Sequence, residues 1–163
     1  MPTKWPHDDT ASKRAFYGDF RNKDWAAQNL VRVYAPYKMY YKDKNKVSVI
    51  NGVLVHKKCA AAFQAAFAEI WEQCKHDQKQ VDKAGASDYA GCFNVRKISG
   101  SDNWSNHSWA CAIDLSASTN GFRYDNTTTL SKIVIDAFKR QGALWGGDYK
   151  GRKDPMHFEF VSR

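Results

Sequence analysis

Residues 99–109, SGSDNWSNHSW, run directly into residues 110–115, ACAIDL. The first part is rich in Gly, Ser, Asp and Asn, a loop composition whose short side chains bond the local backbone. The second is a short apolar run with the length of a buried strand. Cys92–Ile98, CFNVRKI, reads as another strand, so the loop is expected to join two strands.

Upstream lies the clearest helix, Lys57 to Lys75. Ala60, Phe63, Phe67, Ile70 and Cys74 recur at steps of three and four, and the intervening alanines favour helix. That stripe is read as a core-facing side, with Leu54 and Val55 anchoring the helix start. VSVI at 47–50 followed by Asn51-Gly52 is a short strand and a turn, and KMYYKDKNK at 38–46 is a solvated hairpin or loop. Asp24–Val33 is either a helical turn or the lead into a strand, ended by Pro36. YGDF at 17–20 reads as a turn, and Pro2 and Pro6 discourage an early helix. The stretch 77–91 is polar and ends in Gly91.

Downstream, 116–129 is polar. Leu130, Ile133, Val134, Ala137 and Phe138 form the apolar face of a second helix that Gln141-Gly142 would stop. The tail, WGGDYKGRKDPMHFEFV, closes with a strand from Met156 to Val161. With no repeat and no linker, the expectation is one compact α+β domain over 1–163, a small antiparallel sheet flanked by helices.

The bulk numbers agree with one domain. The chain has 163 residues, 43% of them hydrophobic, enough for a core and too many for a disordered basic tail. Lys and Arg number 25 against 17 Asp and Glu, a net charge of +8. That charge fits a nucleic-acid binder, a protein drawn to an anionic envelope, or an enzyme with a basic surface. The basic residues are spread along the chain, with modest clusters at 38–46, 139–140 and 150–153, and no aromatic strand of the RNA-binding kind accompanies them. No apolar run is long enough to span a bilayer, and the N-terminal stretch lacks the apolar segment of a secretory signal. Cys59, Cys74, Cys92 and Cys111 form no CxxC pair and read as buried free thiols.

Two of the five histidines stand beside carboxylates in suggestive patterns. Asp114 follows His107 by seven positions, and Asp154 precedes His157 by three. A zinc hydrolase needs three protein ligands with one open position, and a further carboxylate to take a proton from water. His107, Asp114 and His157 could be the first set and Asp154 the second. By spacing alone each could equally be an ordinary hydrogen-bonded residue. Glu159, two residues past His157 on a strand, points to the same side and could hold that ring from behind. Other chemistries lack their patterns: there is no S-x-x-K, G-x-S-x-G, H-E-x-x-H, P-loop or dinucleotide fingerprint. Cys111, mid-strand between alanines, suits packing better than nucleophilic attack.

Ser105-Asn106-His107-Ser108-Trp109-Ala110-Cys111-Ala112-Ile113-Asp114 resembles the S-x-H-x-x-G-x-A-x-D motif of the zinc D-alanyl-D-alanine carboxypeptidases, a family that includes the L-alanyl-D-glutamate endopeptidases of phage lysins. Asp154-Pro155-Met156-His157-Phe158-Glu159 resembles its second motif, and Trp145-Gly146-Gly147-Asp148 the approach segment of the endopeptidase branch. The resemblance implies a Hedgehog/DD-peptidase-like fold and Zn2+ held by His107, Asp114 and His157. It implies Asp154 as general base and acid, and Arg96 as the group that steadies the substrate carbonyl or oxyanion. Ser105 would support the motif loop at the substrate site, while Trp104, Trp109, Trp145 and Tyr149 are candidate cleft walls. Ala110 replaces the usual Gly, which is tolerable at negative φ and strained in a left-handed conformation. The implied activity is a phage-endolysin-type endopeptidase cutting the L-Ala–D-Glu bond of bacterial peptidoglycan. A D-Ala-D-Ala carboxypeptidase or cross-link DD-endopeptidase is the alternative within the family, and a basic nucleic-acid-binding module the alternative outside it. Such a monomer would bind no nucleic acid and would not insert stably in membranes. It would be made in the host cytoplasm and reach the periplasmic wall with a holin-type partner.

Overall fold

The computed structural model describes residues 4–163; Pro2 lies outside them. Helix α1, Thr10–Tyr17, begins where none was expected. Pro6 precedes its first turn and so costs it no hydrogen bond, while the Asp9 side chain accepts from the Ser12 amide at 2.7 Å and caps it. Helix α2, Trp25–Asn29, runs straight into strand β1, Leu30–Val33, so both readings of that segment hold. Strands β2, Tyr40–Asp43, and β3, Lys46–Val49, form the expected hairpin. Gly52, at φ +78°, then turns the chain back into β4, Val53–His56, which pairs antiparallel with β1 as a separate two-stranded sheet. Leu54 and Val55 therefore lie in a strand ahead of the helix.

A short 3₁₀ turn, Lys57–Cys59, leads into α3, Ala60–Gln73, which buries Phe63, Phe67 and Ile70 as the periodicity predicts. The polar stretch after it holds two elements: α4, Gln78–Ala84, capped by Asp77 and ended by Gly85 at φ +88°, and β5, Asp88–Gly91. Strand β5 takes the sheet position expected for Cys92–Ile98. Gly91, at φ +139°, redirects the chain out of the sheet, and residues 94–98 pair with the 103–107 loop instead. The Asn94 amide donates to His107 O at 3.1 Å, the Ser105 amide to Arg96 O at 2.9 Å and the Ile98 amide to Asn103 O at 2.9 Å.

Strand β6, Ala112–Leu115, and helix α5, Lys132–Arg140, fall where expected. They are followed by β7, Leu144–Trp145, and β8, His157–Glu159, shorter than the Met156–Val161 strand anticipated. The six-stranded sheet runs β3-β2-β5-β6-β8-β7 and is antiparallel apart from the β2–β5 pair. Phe63 on α3, Phe138 on α5 and Phe158 on β8 join both helices to the sheet; the Phe138 and Phe158 rings stack at 4.6 Å between centroids. All four cysteines are free and buried, in line with the sequence reading. Among the described residues no helix is long and apolar enough to cross a membrane.

Candidate metal centre and cleft

Strands β6 and β8 set the centre. Asp114 and His157 are direct cross-strand partners, so their side chains leave the same face of the sheet. His157 Nδ1 lies 2.9 Å from Asp114 Oδ1. His107 arrives from a 3₁₀ turn, Asn106–Trp109, capped by Ser105, whose hydroxyl accepts from the His107 amide. Ala110 ends that turn at φ 55°, ψ 33°, in the left-handed region, and its amide returns to His107 O at 3.0 Å. The residue standing in place of the usual glycine is therefore strained, at a cost of about 1 kcal/mol.

Hydrogen bonding orients both rings. His107 Nδ1 faces Cys92 O at 2.8 Å, and a carbonyl can only accept, so Nδ1 carries the proton and Nε2 a lone pair. That Nε2 lies 3.1 Å from Asp114 Oδ2 yet is buried without a hydrogen-bond partner. His157 repeats the arrangement in reverse. Its Nε2 hydrogen-bonds Glu159 Oε2 and its Nδ1 hydrogen-bonds Asp114 Oδ1, each at 2.9 Å, so the ring lies between two carboxylates that push its pKa up against the effect of burial. The candidate ligand atoms of His107, Asp114 and His157 all lie within 4.8 Å of one another. An ionised carboxylate and two inward ring nitrogens meeting at one point need a shared proton or a cation to join them. Burial opposes ionisation of Asp114, but the imidazoles of His107 and His157 beside it hold its carboxyl below the usual carboxylate range. The donor set, two imidazole nitrogens and a carboxylate, suits zinc, and both outer N–H groups are tied as zinc-site histidines require.

Glu159 is locked behind His157. Beyond His157, its carboxylate accepts from Asn106 Nδ2 at 2.7 Å, from Arg163 Nη2 at 2.9 Å and from the Tyr149 hydroxyl. Burial raises its pKa, but the His157 imidazole, with Tyr149 and Asn106 as further donors, outweighs burial and brings it down to about 2. Buried Lys13 on α1 completes the network, donating to Asn106 Oδ1 at 2.7 Å and to Asp8 at 2.9 Å. Sequence reading missed Lys13 and Asn106. Nothing local marks Lys13, whereas Asn106 stands beside a candidate ligand.

Asp154 sits in the turn before β8. Its Oδ1 is buried without a hydrogen-bond partner, and burial pushes its carboxyl pKa up. The close approach of Gly146 makes that turn possible: the Asp154 amide donates to Gly146 O at 2.9 Å, and a Cβ on Gly146 would meet Asp154 O at 2.1 Å. The centre opens into a cleft of about 620 Å³, lined among others by Arg96, Trp104, Ser105 and Tyr149. Arg96 is held by its backbone, which exchanges hydrogen bonds with the Ser108 hydroxyl at 3.1 and 3.0 Å, and its side chain is exposed.

Two of the expected walls lie elsewhere. Trp109 is fully buried; its indole N–H donates to Gly18 O at 3.0 Å and its ring packs edge-on against Phe20. Trp145 donates to Pro155 O at 2.8 Å and lies so close to Gly147 that a Cβ there would touch its ring. Neither lines the cleft. Both brace the loops that carry the site, a distinction residue type alone does not make.

Residues 99–160 match a protein-family model described as D-alanyl-D-alanine carboxypeptidase. The matched span contains His107, Asp114, Asp154 and His157, while Arg96 and the first helices lie outside it. The match supports a hydrolase of the peptidase kind acting on peptidoglycan. No solved structure matches the chain.

Proposed function

We propose that the protein is a zinc-dependent endopeptidase of phage-endolysin type that hydrolyses the L-Ala–D-Glu bond of peptidoglycan stem peptides. The supporting observation is the convergence of the inward nitrogens of His107 and His157 on the Asp114 carboxylate, in one cleft with an Asp154 carboxyl whose buried Oδ1 has no hydrogen-bond partner among the described residues. His107 Nε2, an Asp114 oxygen and His157 Nδ1 would hold the metal. Zinc bound there supplies Lewis acidity toward a carbonyl and acidifies water.

The remaining work belongs to the side chains. Asp154 takes the proton of the attacking water and returns it to the leaving amine, and its raised pKa suits a group that must hold the proton between those steps. Arg96 presents its guanidinium from the cleft lip to the oxygen on which negative charge develops. Glu159 keeps the outer nitrogen of His157 protonated and the ring fixed. The net charge of +8 draws the protein to the anionic wall, which it reaches from the host cytoplasm with a holin-type partner, acting as a monomer on peptidoglycan and not on nucleic acid.

Cleavage of terminal D-Ala is the second reading, favoured by the description of the matching family. Mass spectrometry of muropeptides after digestion separates the two. A new amino-terminal D-Glu is the expected product. Loss of D-Ala alone would establish the carboxypeptidase, and intact muropeptides with zinc-loaded protein would overturn both.

A further inference from the structure

We infer that Arg152, seated on Phe122 at the cleft rim, binds a free carboxylate of the peptide substrate, so that the cleft selects stem peptides with an unamidated acid beside the scissile bond. The inference rests on the peptidase reading and adds the feature of the substrate that is recognised.

The charges of the cleft carry it. Asp8 is paired with Lys13 and Arg163, Asp9 with His7, Glu159 with His157 and Arg163, and Asp114 with both imidazoles. Asp154 is the general base. Two cations remain: among the described residues, neither Arg96 nor Arg152 has an ion-pair partner or a side-chain hydrogen bond, and both line the cleft. Arg96 has a role at the oxyanion, whereas Arg152 has none.

The basic neighbours of Arg152 are engaged. Arg123 and Lys153 join the two chain segments through reciprocal backbone hydrogen bonds of 3.1 and 2.7 Å. The Arg123 guanidinium is occupied within its own loop, donating to Thr119 O at 2.9 Å and Thr127 Oγ1 at 2.9 Å. Lys153 Nζ donates to Tyr149 O at 2.7 Å. That bridge fixes Phe122 beside Arg152, with the guanidinium carbon 4.2 Å from the ring centroid. Phe122 is 57% exposed, a large apolar ring left at a cleft rim. A guanidinium lying on an aromatic face is restrained in position while its N–H edge stays open, the geometry that takes a carboxylate through two parallel hydrogen bonds. Chemistry supplies the acid. A D-glutamyl residue linked onward through its side-chain carboxyl keeps its α-carboxylate free, next to the amide it shares with L-Ala.

Two synthetic stem peptides test the assignment, identical except that the D-Glu α-carboxylate is free in one and amidated in the other. With the zinc-loaded protein, kcat/KM should favour the free acid by about tenfold, mostly through KM, the scale of one exposed charged hydrogen-bond pair. In Arg152→Met that preference should vanish, and Arg152→Lys should restore part of it. A preference that survives Arg152→Met, or wild-type protein that cuts the two peptides at equal rates, would overturn the inference. Calorimetric binding of both peptides to the zinc-loaded Asp154→Asn protein separates the two readings. A carboxylate preference there that disappears with Arg152→Met upholds the role of Arg152 even if neither peptide is cut by the wild type, an outcome that sinks only the bond assignment. Equal binding of both peptides, or binding of neither, would overturn the inference.

Discussion

The molecule contains two places where imidazole is buried, and they behave as opposites. His56, at the end of β4, is fully enclosed between the Tyr17 and Trp25 rings. Its Nε2 donates to Tyr17 O at 2.8 Å and its Nδ1 accepts from the Lys58 amide at 3.1 Å, so both nitrogens are satisfied. No carboxylate bonds to it, and burial, assisted by Lys58 and Lys57, pushes its pKa down to about 4. His107 and His157 are almost as buried, yet each has one nitrogen tied outward and the other turned toward a shared carboxylate. The difference teaches that burial alone does not make a metal site. What separates the two is whether ring nitrogens from several elements converge on one carboxylate, as the candidate ligand atoms of His107, Asp114 and His157 do.

Removing a ligand should break the contrast most completely. His107→Ala and Asp114→Asn should each abolish stoichiometric zinc binding, read by competition with a chromophoric chelator, while Asp154→Asn should keep the metal and lose activity by about 10²- to 10⁴-fold. Equal zinc loss in all three would show that Asp154 is a ligand. Next in size is Glu159→Gln, which removes the anion behind His157 and should weaken zinc affinity by about 10- to 100-fold. An unchanged affinity would reduce Glu159 to a packing role.

The other side of the comparison is tested by pH. The folded His56 titrates at about 4 against an ordinary 6.5, so the unfolded chain takes up the proton first. Its contribution to stability is complete above about pH 6.5 and is lost as pH falls toward about 4. Denaturant unfolding of the wild type should show that loss, and a folded His56→Gln variant should show a shallower one; identical slopes would exclude His56 as its source. The smallest effect belongs to Ala110→Gly. Relief of the left-handed backbone is offset by the lost buried methyl and by a more flexible unfolded chain, so stability should stay within about 1 kcal/mol of the parent. A larger loss would mean that the Ala110 methyl, not its backbone, matters to the turn.

Much of the fold was legible where one periodicity dominates. Helix α3 announces itself through Phe63, Phe67 and Ile70, and α5 through Val134, Ala137 and Phe138, because a helix facing a core must repeat its apolar residues every three or four positions. Short polar elements were not legible. Helix α1 and helix α4 are set by capping residues, Asp9, Asp77 and Gly85, whose signals are brief and shared with ordinary turns. The segment 92–98 has strand composition, yet Gly91 takes it out of the sheet and it pairs with the site loop.

The same division runs through the site. The sequence by itself determined the chemistry on offer: which histidines and carboxylates stand near one another along the chain, and the single strand that places Glu159 on the side of His157. Covalent order and strand alternation suffice for that. Only the tertiary structure decided which atoms converge, because the register of β6 against β8 sets Asp114 opposite His157, and Cys92 O turns Nε2 of His107 inward. It also drew Lys13 and Arg163, from opposite ends of the chain, into one network, withdrew Trp109 and Trp145 from the cleft, and left Arg152 on Phe122 without an ion-pair partner among the described residues. Those outcomes depend on contacts between residues far apart in sequence, and no local pattern records them.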